Sequence, residues 1–250
     1  MREAWLLKIR RGVNEMKAIF VSFVVVMTTW SGAATASVNP EKPTSKVSVL
    51  GVVAPVKRSD FEEKIQSFFK EQLKNCAVCE VKNLTPYTEK GELDRAALAA
   101  AIEKAAGQVQ ILFISWNEVT TPENQGVLDA LKKVGKDNVL IVGPAGEPAG
   151  EGPSHPLSRT WLGQVPDAVI IGELNDKESL ARKSFYGPEM LTAVKPPKDG
   201  VDGVVTPSYF VARLTKQWNK KTEAEWVSHF RSRKSLSRRI WPGLDEFFGR

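Results

Sequence analysis

The sequence predicts an α/β fold built on a doubly wound, mainly parallel β-sheet. First, short apolar runs alternate along the chain with longer amphipathic or Ala-rich segments, the order of strands and crossover helices in such a sheet. Second, the first run, VSVLGVVA, is continuously apolar rather than alternating, which is typical of a strand buried on both faces. Third, the 250-residue chain is 42% hydrophobic and 26% charged, an ordinary composition for one globular domain.

The predicted strands are short runs bounded by turn-forming or polar residues. Length separates them from helices, since each has fewer than about ten residues. The six runs cover residues 47–54, 78–84, 111–116, 139–143, 168–172 and 191–194.

The predicted helices carry typical start signals. Ser59 to Glu62 form a capping box before residues 60–73, and the segment 94–106 is Ala-rich with an acidic start. A proline opens the helix at 122–134, and Thr206-Pro207-Ser208 opens another. In the first of these helices the apolar residues share one face: Phe61, Ile65, Phe68, Phe69 and Leu73.

The N-terminal 36 residues have the pattern of a signal peptide. Arg10, Arg11 and Lys17 precede an apolar run over residues 18–27, and Ala-Thr-Ala ends at Ala36 with the small residues that signal peptidase requires. We therefore expect cleavage after Ala36 and a secreted or periplasmic mature chain that begins with a linker at 37–46. Translation from Met16 and retention of the segment as an uncleaved anchor are the alternatives.

Cys76 and Cys79 are the two cysteines of the chain. In an oxidising compartment we expect them to form a structural disulfide, and a redox pair is the alternative. Residues three apart in an extended strand lie about 10 Å apart, beyond the roughly 7 Å limit for a disulfide. The bond therefore requires a turn between the two residues.

The rim formed by the carboxyl ends of the strands is the expected functional site, because ligands bind there in parallel sheets. It holds Ala54-Pro55, residues 115–117, residues 143–147 and the loop before Ser208. No dinucleotide fingerprint or phosphate loop occurs in this region. We expect no cofactor and no metal ion.

Ser208 lies at the start of a predicted buried helix, where two interpretations compete. A serine at this position can satisfy free backbone N–H groups as a helix cap. It can equally act as a nucleophile if a base activates it.

Five stretches stand out for their order and spacing: residues 97–106 followed by 111–116, then 139–147, 166–172, 184–188 (SFYGP) and 206–212 (TPSYFVA). Taken together they resemble the subtilisin-like serine proteases, the subtilases, in which the last two stretches read "FSNYGP" and "GTSMAAP". The resemblance covers residues 47–214 and implies a shortened subtilisin-like sheet, with residues 215–250 as a tail.

The resemblance implies that Ser208 is a remnant nucleophile in a degenerate site. A subtilase uses Asp, His and Ser in that chain order. Here the first strand ends at Ala54 instead of an acid, and no His follows it before the second strand. His155, in a Gly/Pro loop, is the candidate replacement base or a solvated loop residue, and His229 is expected at the surface.

The remaining subsites are also inferred from the resemblance. Glu147 takes the position of the oxyanion-hole Asn, where a carboxylate repels a developing oxyanion instead of donating an N–H. Ser115, Trp116 and Gly146 would line a substrate groove.

The tail at 215–250 is basic and aromatic. Residues 213–250 contain ten Lys/Arg against four Asp/Glu, an excess of six that equals the net charge of the chain. The tail either packs Trp218, Trp226 and Phe230 on the domain or docks to an acidic partner or an anionic membrane surface. Nucleic acid is not expected. The docking residues would be Lys220, Lys221, Arg231, Arg233, Lys234, Arg238 and Arg239.

Three functions follow. The first is an exported pseudoprotease that binds a peptide or protein; the second is a serine hydrolase with a rearranged site at Ser208 and His155. The third is an envelope-associated structural or interaction protein that uses the basic tail.

Overall fold

The centre of the structure is a sheet of six parallel β-strands. The structure is a computed structural model. It describes residues 48–54, 60–88, 90–147, 153–175, 177, 179–180, 184–195, 206–236 and 248. The strands are β1 (Ser48–Val53), β2 (Cys79–Asn83), β3 (Ile111–Ile114), β4 (Leu140–Pro144), β5 (Val169–Glu173) and β6 (Met190–Val194). Their order in the sheet is β2-β1-β3-β4-β5-β6, and every neighbouring pair is parallel.

The strand order confirms the predicted α/β class. β1 lies between β2 and β3, so the direction of winding reverses between β1 and β3. All four residues of β3 and all five of β6 are buried, which explains why β3 is a continuous apolar run and why Thr192 is the one polar residue of β6.

Helices cover both faces of the sheet, as expected for a doubly wound fold. The described residues form five α-helices: α1 (Asp60–Leu73), α2 (Arg95–Ala105), α3 (Gln125–Val134), α4 (Pro207–Gln217) and α5 (Glu223–Leu236). Leu112 and Ile114 belong to a core with α2 and α3, whereas Ile111 and Phe113 belong to a second core with α1, α4 and α5. Short 3-10 helices occupy Pro122–Asn124, Leu157–Arg159, Leu162–Gln164 and Trp218–Lys220.

The described part of the basic tail packs on the sheet. Trp218, Trp226 and Phe230 are all buried and belong to the core that includes Phe210 of α4. The Trp226 indole nitrogen donates a hydrogen bond of 3.1 Å to the carbonyl oxygen of Trp218. α5 is therefore a structural helix of the domain, as the packing alternative expects.

Cys76, in the turn after α1, and Cys79, the first residue of β2, lie at disulfide distance, with their Cα atoms 5.3 Å apart. The backbone N–H of Cys79 donates to the carbonyl oxygen of Cys76, which makes the turn that the sequence argument required.

Several predictions concern residues outside the described ranges. They include the signal peptide and linker, the capping serine Ser59, and the tail residues Arg238 and Arg239. Among the described helices, none combines the length and apolarity needed to cross a bilayer.

Candidate functional site

A cavity of about 320 Å³ opens at the carboxyl ends of β3, β4 and β5, beside the start of α4. This is the rim where the sequence predicted the site. Four of the predicted site residues line the cavity, namely Ser115, Trp116, Gly146 and Glu147. The other lining residues are Asn117, Pro144, Ala145, Ile171, Glu173, Ser184 and Pro207.

Asn117 holds two walls of the cavity together. Its amide nitrogen donates to the carbonyl oxygen of Ala145 at 2.9 Å and to the hydroxyl of Thr160 at 3.0 Å. Its amide oxygen accepts from the backbone N–H of Leu162 at 3.2 Å. Because the side chain is 3% exposed, these bonds are shielded from water and fix the segment after β3 against the segment after β4.

Gly146 is required by the close approach of these two segments. Its φ is +83°, in the left-handed region that glycine adopts without penalty. A Cβ atom at this position would lie 2.6 Å from the carbonyl oxygen of Asn117. The glycine therefore lets the turn after β4 lie directly against the chain after β3.

Two carboxylates line the cavity. Glu147 and Glu173 are both exposed, and in the described part of the chain no Lys, Arg or His lines the same space. The hydroxyl of Thr206 donates a hydrogen bond of 2.6 Å to Glu173 Oε2, which ties this carboxylate to the start of α4. Nowhere in the described ranges do three His, Cys, Asp or Glu side chains group as a possible metal site.

Ser208 lies within α4, next to the lining residue Pro207, and does not itself line the cavity. Its side chain is 0% exposed, and its hydroxyl has no hydrogen-bond partner in the described structure. The helix begins at Pro207 with Thr206 as its N-cap. The interpretation of Ser208 as the helix cap is therefore wrong, because the residue lies one position inside the helix and caps no backbone N–H.

Neither histidine is hydrogen-bonded to the Ser208 hydroxyl. The centroid of the His155 ring lies 5.9 Å from that of the Phe185 ring. The backbone carbonyl oxygen of His155 accepts a hydrogen bond from the backbone N–H of Tyr186. The His229 ring contacts Trp226 and Phe230 on α5. The sequence contains only these two histidines, so no other imidazole is available as a base.

The end of β1 carries no acid. Ala54 is buried there, and its backbone N–H donates to the hydroxyl of Thr85 at 2.7 Å. The Tyr87 hydroxyl donates a long hydrogen bond of 3.5 Å to the carbonyl oxygen of Ala54. Burial raises the pKa of Tyr87 to about 12, partly offset by a hydrogen bond with Thr85, so this phenol stays protonated near neutral pH.

Glu173 and Ser184 line the cavity but were not predicted as site residues, and Asn117 was predicted on the rim but not in the groove. Glu173 ends β5, so the rule that ligands bind at strand ends was sufficient to find it. Ser184 gave no such signal, because its place depends on the path of the loop before β6. Its carbonyl oxygen accepts a hydrogen bond from the Ser154 hydroxyl.

A second cavity, of about 350 Å³, lies between α5 and the segment before β5. None of the predicted catalytic or groove residues lines it. Arg231, one of the predicted docking residues, lies at this cavity and forms an ion pair with Asp167. The cavity at the carboxyl ends is therefore the one that carries the candidate chemistry.

No protein-family model matches the sequence. No curated protein matches it by sequence. Solved structures do match. A cold-adapted subtilisin-like serine proteinase aligns with a TM-score of 0.51 at 11% identity, over 75% of this chain and 82% of that chain.

Two further matches have lower scores. A lanthipeptide protease aligns with a TM-score of 0.44 at 12% identity, over 61% of this chain and 56% of that one. A protease from Pseudoalteromonas arctica aligns with a TM-score of 0.46 at 13% identity, over 62% of this chain and 56% of that one. With the parallel sheet and its two helical layers, the first match shows that this chain has the subtilisin-like fold.

Proposed function

We propose that this chain is a pseudoprotease: a subtilisin-fold protein that binds a peptide or an extended protein segment at the rim and does not cleave it. One observation carries the proposal. The Ser208 hydroxyl is fully buried and has no hydrogen-bond partner in the described part of the chain. A serine nucleophile needs a base within hydrogen-bond reach to take its proton.

Two other positions argue against turnover. Ala54 stands where the first strand of a subtilase ends in the acid that orients the catalytic His. Glu147 lines the cavity in place of a neutral amide donor, and its carboxylate would oppose the negative charge of a tetrahedral intermediate. Donors at such sites contribute about 2.7–4 kcal/mol to catalysis in enzymes of this type.

The cavity itself supports binding. Its volume of about 320 Å³ lies at the lower end of the range for ligand pockets, and it combines apolar walls with a few polar groups. The cold-adapted protein that shares this fold is a serine proteinase, which makes a peptide the natural ligand class here. Chain segments at sheet edges and strand ends also offer backbone hydrogen bonds to an extended peptide.

Export is part of the proposal. It is supported by the basic residues, the apolar run and the Ala-Thr-Ala sequence at the N-terminus. The disulfide-distance pair of Cys76 and Cys79 suits an oxidising compartment. Intact mass of the exported protein would test the cleavage after Ala36, and a mature chain that retains residues 18–27 would contradict it.

Active-site labelling tests the absence of catalysis. Purified mature protein is treated with a fluorophosphonate probe, and labelled sites are mapped by mass spectrometry. Ser208→Ala and heat-denatured protein are the controls. The variant keeps the fold because the serine hydroxyl makes no hydrogen bond with the described residues. We expect no labelling; labelling that requires both Ser208 and the native fold would overturn the proposal in favour of a serine hydrolase.

The third function, docking through the basic tail, needs a different variant. Truncation at Arg213 would remove the buried residues Leu214, Trp218 and Trp226 and unfold the core. Lys220→Gln with Lys221→Gln removes two exposed charges and one cation–π contact, that of Lys221 with the Trp226 ring, and leaves the buried Leu214, Trp218 and Trp226 side chains in the protein. We expect this double variant to bind peptide as the wild type does, whereas a loss of peptide binding would favour the tail as the binding surface.

A further inference from the structure

We infer that the rim cavity accepts a cationic side chain, that of an Arg or Lys residue in the bound peptide. The inference rests on the proposed function and adds a ligand class to it. Four features of the cavity support the inference: its charge, an unpartnered buried hydroxyl, an aromatic wall, and a carboxylate at the end of β5 that is hydrogen-bonded to the start of α4.

The charge of the lining is the first feature. Glu147 follows β4 and Glu173 ends β5, so the two carboxylates belong to neighbouring strands and line one space. Among the described residues around this space, none is basic. The chain as a whole carries a formal net charge of +6, so the cavity is an acidic site in a basic protein. A cation bound there gains attraction from two carboxylates.

The second feature is the hydroxyl of Ser115. The residue lines the cavity and is 2% exposed, and its Oγ atom has no hydrogen-bond partner in the described part of the chain. A buried polar group without a partner destabilises the protein, and a bound donor would relieve that cost. A guanidinium or ammonium group entering the cavity offers N–H donors to this oxygen.

The third feature is the apolar wall beside the carboxylates. Trp116 and Ile171 line the cavity, and the Trp116 ring meets the ring of Trp161 edge to face, with 5.6 Å between centroids. An apolar surface next to acidic groups suits a side chain with an alkyl stem and a charged head. The face of Trp116 can also attract the cation directly.

The fourth feature is the anchoring of Glu173. The Thr206 hydroxyl donates to one of its carboxylate oxygens, Oε2. This bond fixes the carboxylate while its second oxygen, Oε1, can accept from a ligand. A glutamine at this position still accepts the Thr206 hydrogen bond, so Glu173→Gln removes the charge without removing the contact.

Matched peptides test the inference. Blocked pentapeptides Ala-Ala-X-Ala-Ala, with X as Arg, Lys, Met or Glu, are titrated into the mature protein and followed by calorimetry or NMR. Met matches the unbranched apolar stem of Lys and lacks its charged ammonium group. We expect the Arg and Lys peptides to bind about tenfold more tightly than the Met peptide, and the Glu peptide to bind most weakly. The preference should shrink as salt is raised.

Charge-removing variants give the second readout. Glu147→Gln and Glu173→Gln should each lower the affinity for the Arg peptide by about two- to fivefold and leave the Met peptide unchanged. Glu63→Gln, at an exposed position on α1, is the matched control and should change neither affinity. Equal binding of the Arg and Met peptides would overturn this inference and leave peptide binding intact. Binding of none of the peptides, with the protein folded, would overturn the proposed function as well.

Discussion

The side chain of Asn117 donates a hydrogen bond of 2.9 Å to the carbonyl oxygen of Ala145, joining the segments that follow β3 and β4. Asn117→Ala removes this bond and two others and leaves buried partners unsatisfied. We expect the free energy of unfolding to fall by about 2–4 kcal/mol. Urea unfolding followed by circular dichroism measures the change. Asn219→Ala, at an exposed position, should stay within about 0.5 kcal/mol of the wild type.

Gly146 gives a steric test of the same junction. Gly146→Ala forces a Cβ to within 2.6 Å of the Asn117 carbonyl oxygen and holds Ala at a φ of +83°. We expect a loss of about 2–5 kcal/mol in unfolding free energy. Gly107→Ala is the control, because open space surrounds that position. A fully stable Gly146→Ala protein would mean that the turn after β4 does not lie against Asn117.

Much of the fold could be predicted from the sequence because burial on both faces leaves a strong pattern. The residues of β3 are apolar without interruption, and the start of α4 carries a proline at its first position. The parallel direction of the strands and the position of the rim followed from general rules for α/β sheets. The predicted rim residues Ser115, Trp116, Gly146 and Glu147 do lie around one cavity.

Side-chain partners could not be predicted, because they depend on distances between segments far apart in the chain. The cap interpretation of Ser208 failed because the helix begins one residue earlier, at Pro207. The contact of Asn117 with Leu162 spans 45 residues and has no local signature. The packing of Trp226 on the domain was one of two open alternatives, since an aromatic and basic helix suits both a core and a docking surface.

Trp226 tests whether α5 stabilises the domain. The side chain is 2% exposed, and its indole nitrogen donates to the Trp218 carbonyl oxygen. We expect Trp226→Ala to lower the unfolding free energy by about 3–5 kcal/mol, because it removes a large buried side chain. Trp226→Phe keeps most of the packing and should cost less. Ser228→Ala, at an exposed position on the same helix, is the control. Equal stability of all three variants would mean that the packing of α5 does not stabilise the domain.

Tyr87 predicts how stability depends on alkaline pH. Its pKa is raised from 10.0 to about 12 in the folded protein, mainly by burial. Below pH 10 the folded and unfolded states both keep the phenol proton, so the contribution is constant. Between pH 10 and about 12 the unfolded state loses this proton while the folded state retains it, and the free energy of unfolding must therefore fall as the pH rises.

Comparison with Tyr87→Phe isolates this effect, because the remaining titrating groups are common to both proteins. The unfolding free energy of the wild type minus that of the variant should be constant below pH 10. It should then decrease as the pH rises to about 12. Urea unfolding at several pH values measures it, and ultraviolet absorbance of tyrosinate in the folded state reports the titration directly. A constant difference across the whole range would mean that the phenol titrates normally, so that the partly buried position of Tyr87 beside Ala54 does not raise its pKa.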